Sequence, residues 1–146
     1  MKRRCAAAAA IGFLAFALLA GCGSSKSAAP DSAAVKKSFL RGVAQIRGWP
    51  DEKKLHRQLL RTLARVRSAH GSTEVGRRGR RLAIQGFAWT LKGIESELDL
   101  IANDSGNIEA AVRDAKRADR YLGRGANLLR AAGRAFGIRI GKLNGH

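Results

Sequence analysis

Six apolar residues, Ile84, Phe87, Leu91, Ile94, Leu98 and Ile101, follow one another at steps of three, four, three, four and three. An α-helix puts such positions on one side, because its turn takes about 3.6 residues whereas a strand repeats every two. The run exceeds two heptads, so it calls for a partner helix along most of its length. A second run, Ile108, Ala111, Ala115, Ala118, Leu122, Gly125, Leu129, Ala132 and Phe136, again alternates threes and fours. The stretch Asn103-Asp104-Ser105-Gly106-Asn107 between them has the residues of a turn. A turn this short forces the two helices into an antiparallel hairpin. The small residues on the second seam allow its partner a close approach.

Two shorter helical segments precede the hairpin. Val35, Phe39, Gly42, Ile46 and Trp49 give the first, over about 32–48, with Asp31 or Ser32 as its cap. Gly48-Trp49-Pro50 ends it, and Trp49 is expected to plug that corner. The second runs over about 51–69, opens on Pro50, Asp51 and Glu52, and shows Leu55, Leu59, Leu63 and Val66 on one side. Ser72 or Thr73 then caps the hairpin's first helix, with a break foreseen near Gly76 to Gly79. With two prolines and 5% aromatic residues in 146, the chain lacks the composition of a β domain. The expected fold is all-α: a small up-down bundle of four helices over 31–140, the first short, with a three-helix core as the alternative. Residues 141–146 are expected to fray.

Gly79, Gly86 and Gly93 recur every seven residues on the third helix. Each costs about 1 kcal/mol against alanine in a helix, so each needs a reason. Two are open. The first or second helix packs tightly there, which is the expectation, or the glycines floor an apolar ligand pocket.

The start of the chain has a separate logic. Lys2, Arg3 and Arg4 precede an uncharged stretch of 15 residues, 6–20, which ends in Leu19-Ala20-Gly21-Cys22. The stretch is short of the ~20 residues that span a bilayer. This segment resembles a bacterial lipoprotein signal peptide, whose lipobox is Leu, two small residues and Cys. The resemblance covers residues 1–22 and implies a diacylglyceryl group on the Cys22 thiol and cleavage before Cys22. It also implies a lipid-anchored protein on the extracytoplasmic face of a cell membrane. Two acyl chains suffice for stable anchoring. Residues 22–30, small and polar with Pro30, read as a tether. Cys5 falls in the removed part.

Charge is unevenly spread. The chain carries 28 Lys and Arg against 11 Asp and Glu, for +17. Without residues 1–21 there are 25 bases and 11 acids. Residues 36–92 hold 15 bases and three acids, residues 95–119 three bases and seven acids, and residues 120–146 six bases and no acid. An antiparallel hairpin built from these blocks is acidic at its turn and basic at its open end. Lys53, Arg57, Arg61 and Arg65 stack at four-residue steps, and Arg77, Arg78, Arg80 and Arg81 form a second cluster. Like charges so spaced oppose helix formation, and bases in a first turn oppose the dipole. These eight are the candidates for contact with anionic lipid head groups, wall polymers or an envelope protein. Nucleic acid is disfavoured by the location that the lipobox implies and by the few aromatics.

No catalytic constellation stands out. His56 is expected to contact Glu52 one turn earlier, His70 to sit at a helix end, and His146 is terminal. Glu95 and Asp99 share a helix side and read as a solvated face. There is no metal-ligand spacing and no disulfide framework downstream of Cys22. The expectation is a non-catalytic binding or structural module with no cofactor beyond the lipid on Cys22. The alternative is a helical ligand-binding lipoprotein with an apolar pocket beside Gly79, Gly86 and Gly93.

Overall fold

The computed structural model describes residues 30–48, 51–102 and 107–143, with side chains from Ala33 onward. The expected signal peptide and tether up to residue 29, the expected Trp49 plug, turn residues 103–106 and His146 lie outside the described residues, as do the side chains of Asp31 and Ser32, the expected caps, whose backbone falls inside the first helix. Four helices form: α1 (Pro30–Arg47), α2 (Glu52–Ser68), α3 (Glu74–Ala102) and α4 (Ile108–Ala135). No strand occurs among the described residues.

Local chemistry sets the helix starts. Asp51 caps α2 by accepting from the Lys54 amide at 2.6 Å, and Thr73 caps α3 by accepting from the Gly76 amide at 2.9 Å. Asn107 caps α4 through the Ala110 amide at 3.1 Å. The break foreseen at Gly76 to Gly79 is absent; α3 is continuous for 29 residues. These glycines are buried, and the packing they permit holds the helix together through them.

The core lies where α1 and α2 cover the lower part of the hairpin. Phe39, Leu55, Leu59, Val66, Phe87, Ile94 and Leu129 are fully buried. Phe39 rings meet Phe87 at 6.1 Å and Phe136 at 5.3 Å between centroids. Contact is most extensive between α3 and α4; α2 lies on α3, and α1 lies on both α2 and α3. α1 and α2 have 18 and 17 residues against 29 and 28 in the hairpin. So the short first helix of the expected bundle has an equally short second beside it. The hairpin outreaches both, and its end is left uncovered: Ile101 and Ile108 are 68% and 79% exposed.

Directions follow from named contacts. Arg80 near the start of α3 bonds the carbonyl of Val66 near the end of α2, while His56 near the start of α2 meets Glu95. Phe39 touches Phe136, which packs over Gly79, and Gly42, one turn later, packs against Phe87. α1 therefore rises alongside α3 from the end that holds Gly79. The topology is up-down, and Pro30 enters at that end.

Of the tail 141–146 expected to fray, Leu143 packs against the core, and residues 144–146 lie outside the described residues. Gly137 has φ 68°, Ile138 N donates to Gly133 O at 2.8 Å, and Gly137 N donates to Arg134 O at 3.1 Å. This is a Schellman turn, which glycine closes without a Cβ clash. It redirects the chain so that Ile138, Ile140 and Leu143 pack against the core. The domain thus runs past residue 140 at least to Leu143.

Candidate functional site

Lys53, Arg57, Arg61 and Arg65 are all exposed on α2, and none makes an ion pair among the described residues. Twelve residues separate the first from the last, which is about 18 Å of helix. His56 and Glu95, 3.0 Å apart, fix the start of α2 at the acidic part of α3. Lys53 and Arg57 therefore stand apart from the second cluster, and only the Arg65 end meets it. The expected partner of His56, Glu52, gives way to Glu95, because the antiparallel packing of α2 on α3 brings that carboxylate across.

Arg77, Arg78 and Arg81 are exposed at the start of α3. Arg77 Nη1 donates to Ser72 O at 2.9 Å. Arg80 differs from its neighbours: Nε donates to Val66 O at 3.0 Å and Nη2 to Arg67 O. Its guanidinium thus serves two carbonyls that the end of α2 leaves without helical partners, and a cation is favourable at that dipole end. Half-buried Arg80 is thus engaged within the fold, unlike exposed Arg78 and Arg81.

The same end gathers bases the spacing argument left out. Arg67 is exposed beside the Arg80 contact, and Arg134 and Arg139 flank Phe136, which lies over Gly79. Glu74 is the acid described in the first turn of α3 there. Acids collect at the opposite end, on Glu95, Asp99, Glu109 and Asp114; Asp104 is outside the described residues. Arg117 bonds Asp114 at 3.3 Å on the exposed surface, which contributes little to stability.

The glycine line has no empty space above it. A Cβ at Gly79 would lie 2.5 Å from Phe136, one at Gly86 2.8 Å from Leu129, and one at Gly93 2.6 Å from Leu122. These three partners are themselves spaced by seven. They come from α4 and its C-cap, Phe136, not from the first or second helix as expected, and they fill the volume that an apolar ligand would need.

One constellation was not anticipated. Trp89, off the Phe87 and Leu91 seam, does not face the first or second helix. It lies two residues from both Phe87 and Leu91, hence about 200° around α3 from the face that those helices cover. There it is half-buried, 5.2 Å from the Tyr121 ring of α4. Arg124 lies 4.2 Å and Lys92 4.9 Å from its ring centre. The available signal was a second heptad stripe, Val75, Leu82 and Trp89, off the main seam.

Among the described residues, no three His, Cys, Asp or Glu side chains converge on a metal-sized site, and no helix is long and apolar enough to cross a membrane. Leu19, Ala20, Gly21 and Cys22, the expected lipobox, lie outside the described residues. Comparison with protein-family models, with curated proteins and with solved structures finds no match for this chain.

Proposed function

We propose that this protein is a lipid-anchored, non-catalytic module of the cell envelope that presents its basic end to an anionic surface. The diacylglyceryl group on Cys22 would hold it on the extracytoplasmic side of the membrane. The observation that carries this reading is a coincidence of position: Pro30 enters the bundle at the end where Arg65, Arg67, Arg77, Arg78 and Arg81 collect. Eight residues separate Cys22 from Pro30, at most about 28 Å of extended chain. A lipid on Cys22 would thus keep the basic end within reach of phospholipid phosphates, where each base contributes about 1 kcal/mol in a salt-sensitive way.

The reading is tested by expressing the full chain with Cys22→Ala in a bacterium. The unsubstituted chain should be processed and stay with membranes through a high-salt wash. The variant should accumulate unprocessed, or be released by salt. A variant that is processed and membrane-held at the same level would overturn the proposal.

A further inference from the structure

From the Trp89 cluster we infer that the uncovered face of the α3–α4 hairpin is the surface that lies on the membrane, with Trp89 and Tyr121 at the level of anionic phospholipid head groups. The inference rests on the lipid-anchored reading and adds which face meets the leaflet.

The face is continuous. On α3, Val75, Leu82 and Trp89 follow at steps of seven, and on α4 Tyr121 and Leu128 do the same. Val75 is 58% exposed, and the other four are half-buried. Val75 and Leu82 line one shallow groove with Ala131 and Ala135, and Trp89 meets Tyr121 further along. α1 and α2 pack on the other side of α3, against Phe87, so none of this stripe is taken up by them.

Its charge favours a phosphate-bearing surface. Arg78 and Arg134 flank the groove, and exposed Lys92, Arg117 and Arg124 flank the aromatic pair. The acids on this side, Asp99 and Asp114, stand toward the turn, where Asp114 is bonded to Arg117. An apolar stripe with tryptophan and tyrosine at its middle and bases along both edges suits the boundary between acyl chains and head groups. Trp and Tyr settle there with an apolar body and a polar tip, and Lys and Arg reach outward to phosphate. Arg124 and Lys92 over the Trp89 ring keep cations beside the aromatic anchor. The span from Cys22 to Pro30 lets the hairpin recline, since Arg78 and Arg134 belong both to the basic end and to this face.

The test uses the lipidated chain reconstituted into two kinds of vesicle, phosphatidylcholine alone and phosphatidylcholine with phosphatidylglycerol. Trp89 emission is read in a Trp49→Phe background, or as the difference between wild type and Trp89→Phe if that background does not fold. With phosphatidylglycerol present, Trp89 emission should shift to the blue and be quenched by brominated lipid. Both effects should disappear at high salt and in the Lys92→Gln, Arg124→Gln double variant. Emission that is the same in both vesicles, with the protein still sedimenting with them, would overturn the inference and leave the anchored reading standing. A chain that does not sediment with either vesicle would overturn both.

Discussion

Leu129 of α4 fills the space that a side chain on Gly86 of α3 would need: a Cβ on Gly86 would lie 2.8 Å from Leu129 Cδ2 and 3.0 Å from the Leu129 amide nitrogen. The second distance matters more. A leucine tip can turn away, but a backbone nitrogen inside a packed hairpin cannot. Gly125 makes the reverse approach, its missing Cβ 2.9 Å from the Thr90 amide nitrogen and 3.0 Å from Gly86 O. Alanine gains about 1 kcal/mol of helix propensity at either site, yet overpacking costs about 1–3 kcal/mol. Gly86→Ala and Gly125→Ala should therefore each lower stability, by up to about 2 kcal/mol in denaturant unfolding. Gly123, two residues before Gly125, has nothing within 4 Å of its Cβ position. Gly123→Ala should raise stability by about 1 kcal/mol, and equal effects at 123 and 125 would contradict the close approach of the two helices.

Arg80 and Arg81 are adjacent, carry the same charge and should behave differently. Arg80 holds the carbonyls of Val66 and Arg67, whereas Arg81 is exposed. Hydrogen bonds to a charged group contribute about 1.5–3 kcal/mol. Arg80→Ala should destabilise the fold by about that amount in thermal or urea unfolding. Arg81→Ala should stay within about 0.5 kcal/mol of wild type. Two variants of equal stability would remove the structural role assigned to Arg80.

Much of the fold was legible because helical periodicity is a direct consequence of helix geometry. Phe87, Leu91 and Ile94 are buried as their spacing requires. The two seams fail at Ile101 of α3 and Ile108 of α4 because seam spacing cannot tell where a covering layer stops, and α1 and α2 stop first. The heptad glycines were recognisable as a close approach. Their partner was also encoded, since from Ala111 onward Leu122, Leu129 and Phe136 are the large residues on an otherwise small-residue seam, at the matching period. Arg80 was not legible: its bond spans 14 residues and depends on where α2 ends. Of the candidate surface, spacing found the bases but not their division. Lys53 and Arg57 share a stripe with Arg65, and only the register of α2 on α3 shows that they end up beside Glu95.

The C-terminal segment should be structural. Ile138, Ile140 and Leu143 pack on the core, and a Cβ on Gly133 would meet Ile140 at 2.7 Å. Burying a large apolar side chain fully contributes about 1.5–3 kcal/mol, and these three are half-buried. Ending the chain after Gly137 should therefore lower stability by about 2–4 kcal/mol, read as a drop in Tm. A truncated chain that melts with the full-length protein would contradict the packing of Ile138, Ile140 and Leu143 on the core.

The division of the bases gives the last prediction, for the affinity of the chain with Cys22→Ser for anionic vesicles at about 0.1–0.15 M salt. Arg77, Arg78 and Arg81 stand at the end where Pro30 enters, and Arg78 also borders the Trp89 face. Lys53, Arg57 and Arg61 climb α2 away from that end, toward the pair His56 and Glu95. Each triple glutamine variant removes the same charge, so a long-range attraction set by net charge would fall equally in both. Contact at the basic end distinguishes them. At about 1 kcal/mol per base near the surface, neutralising Arg77, Arg78 and Arg81 should weaken binding roughly 100-fold. Neutralising Lys53, Arg57 and Arg61 should weaken it by less than about tenfold, because Lys53 and Arg57 stand about 18 and about 12 Å along α2 from Arg65, beyond a Debye length of about 8–10 Å, and only Arg61 lies within it. Equal losses in the two triples would mean that the protein reads the surface through its total charge and has no preferred end.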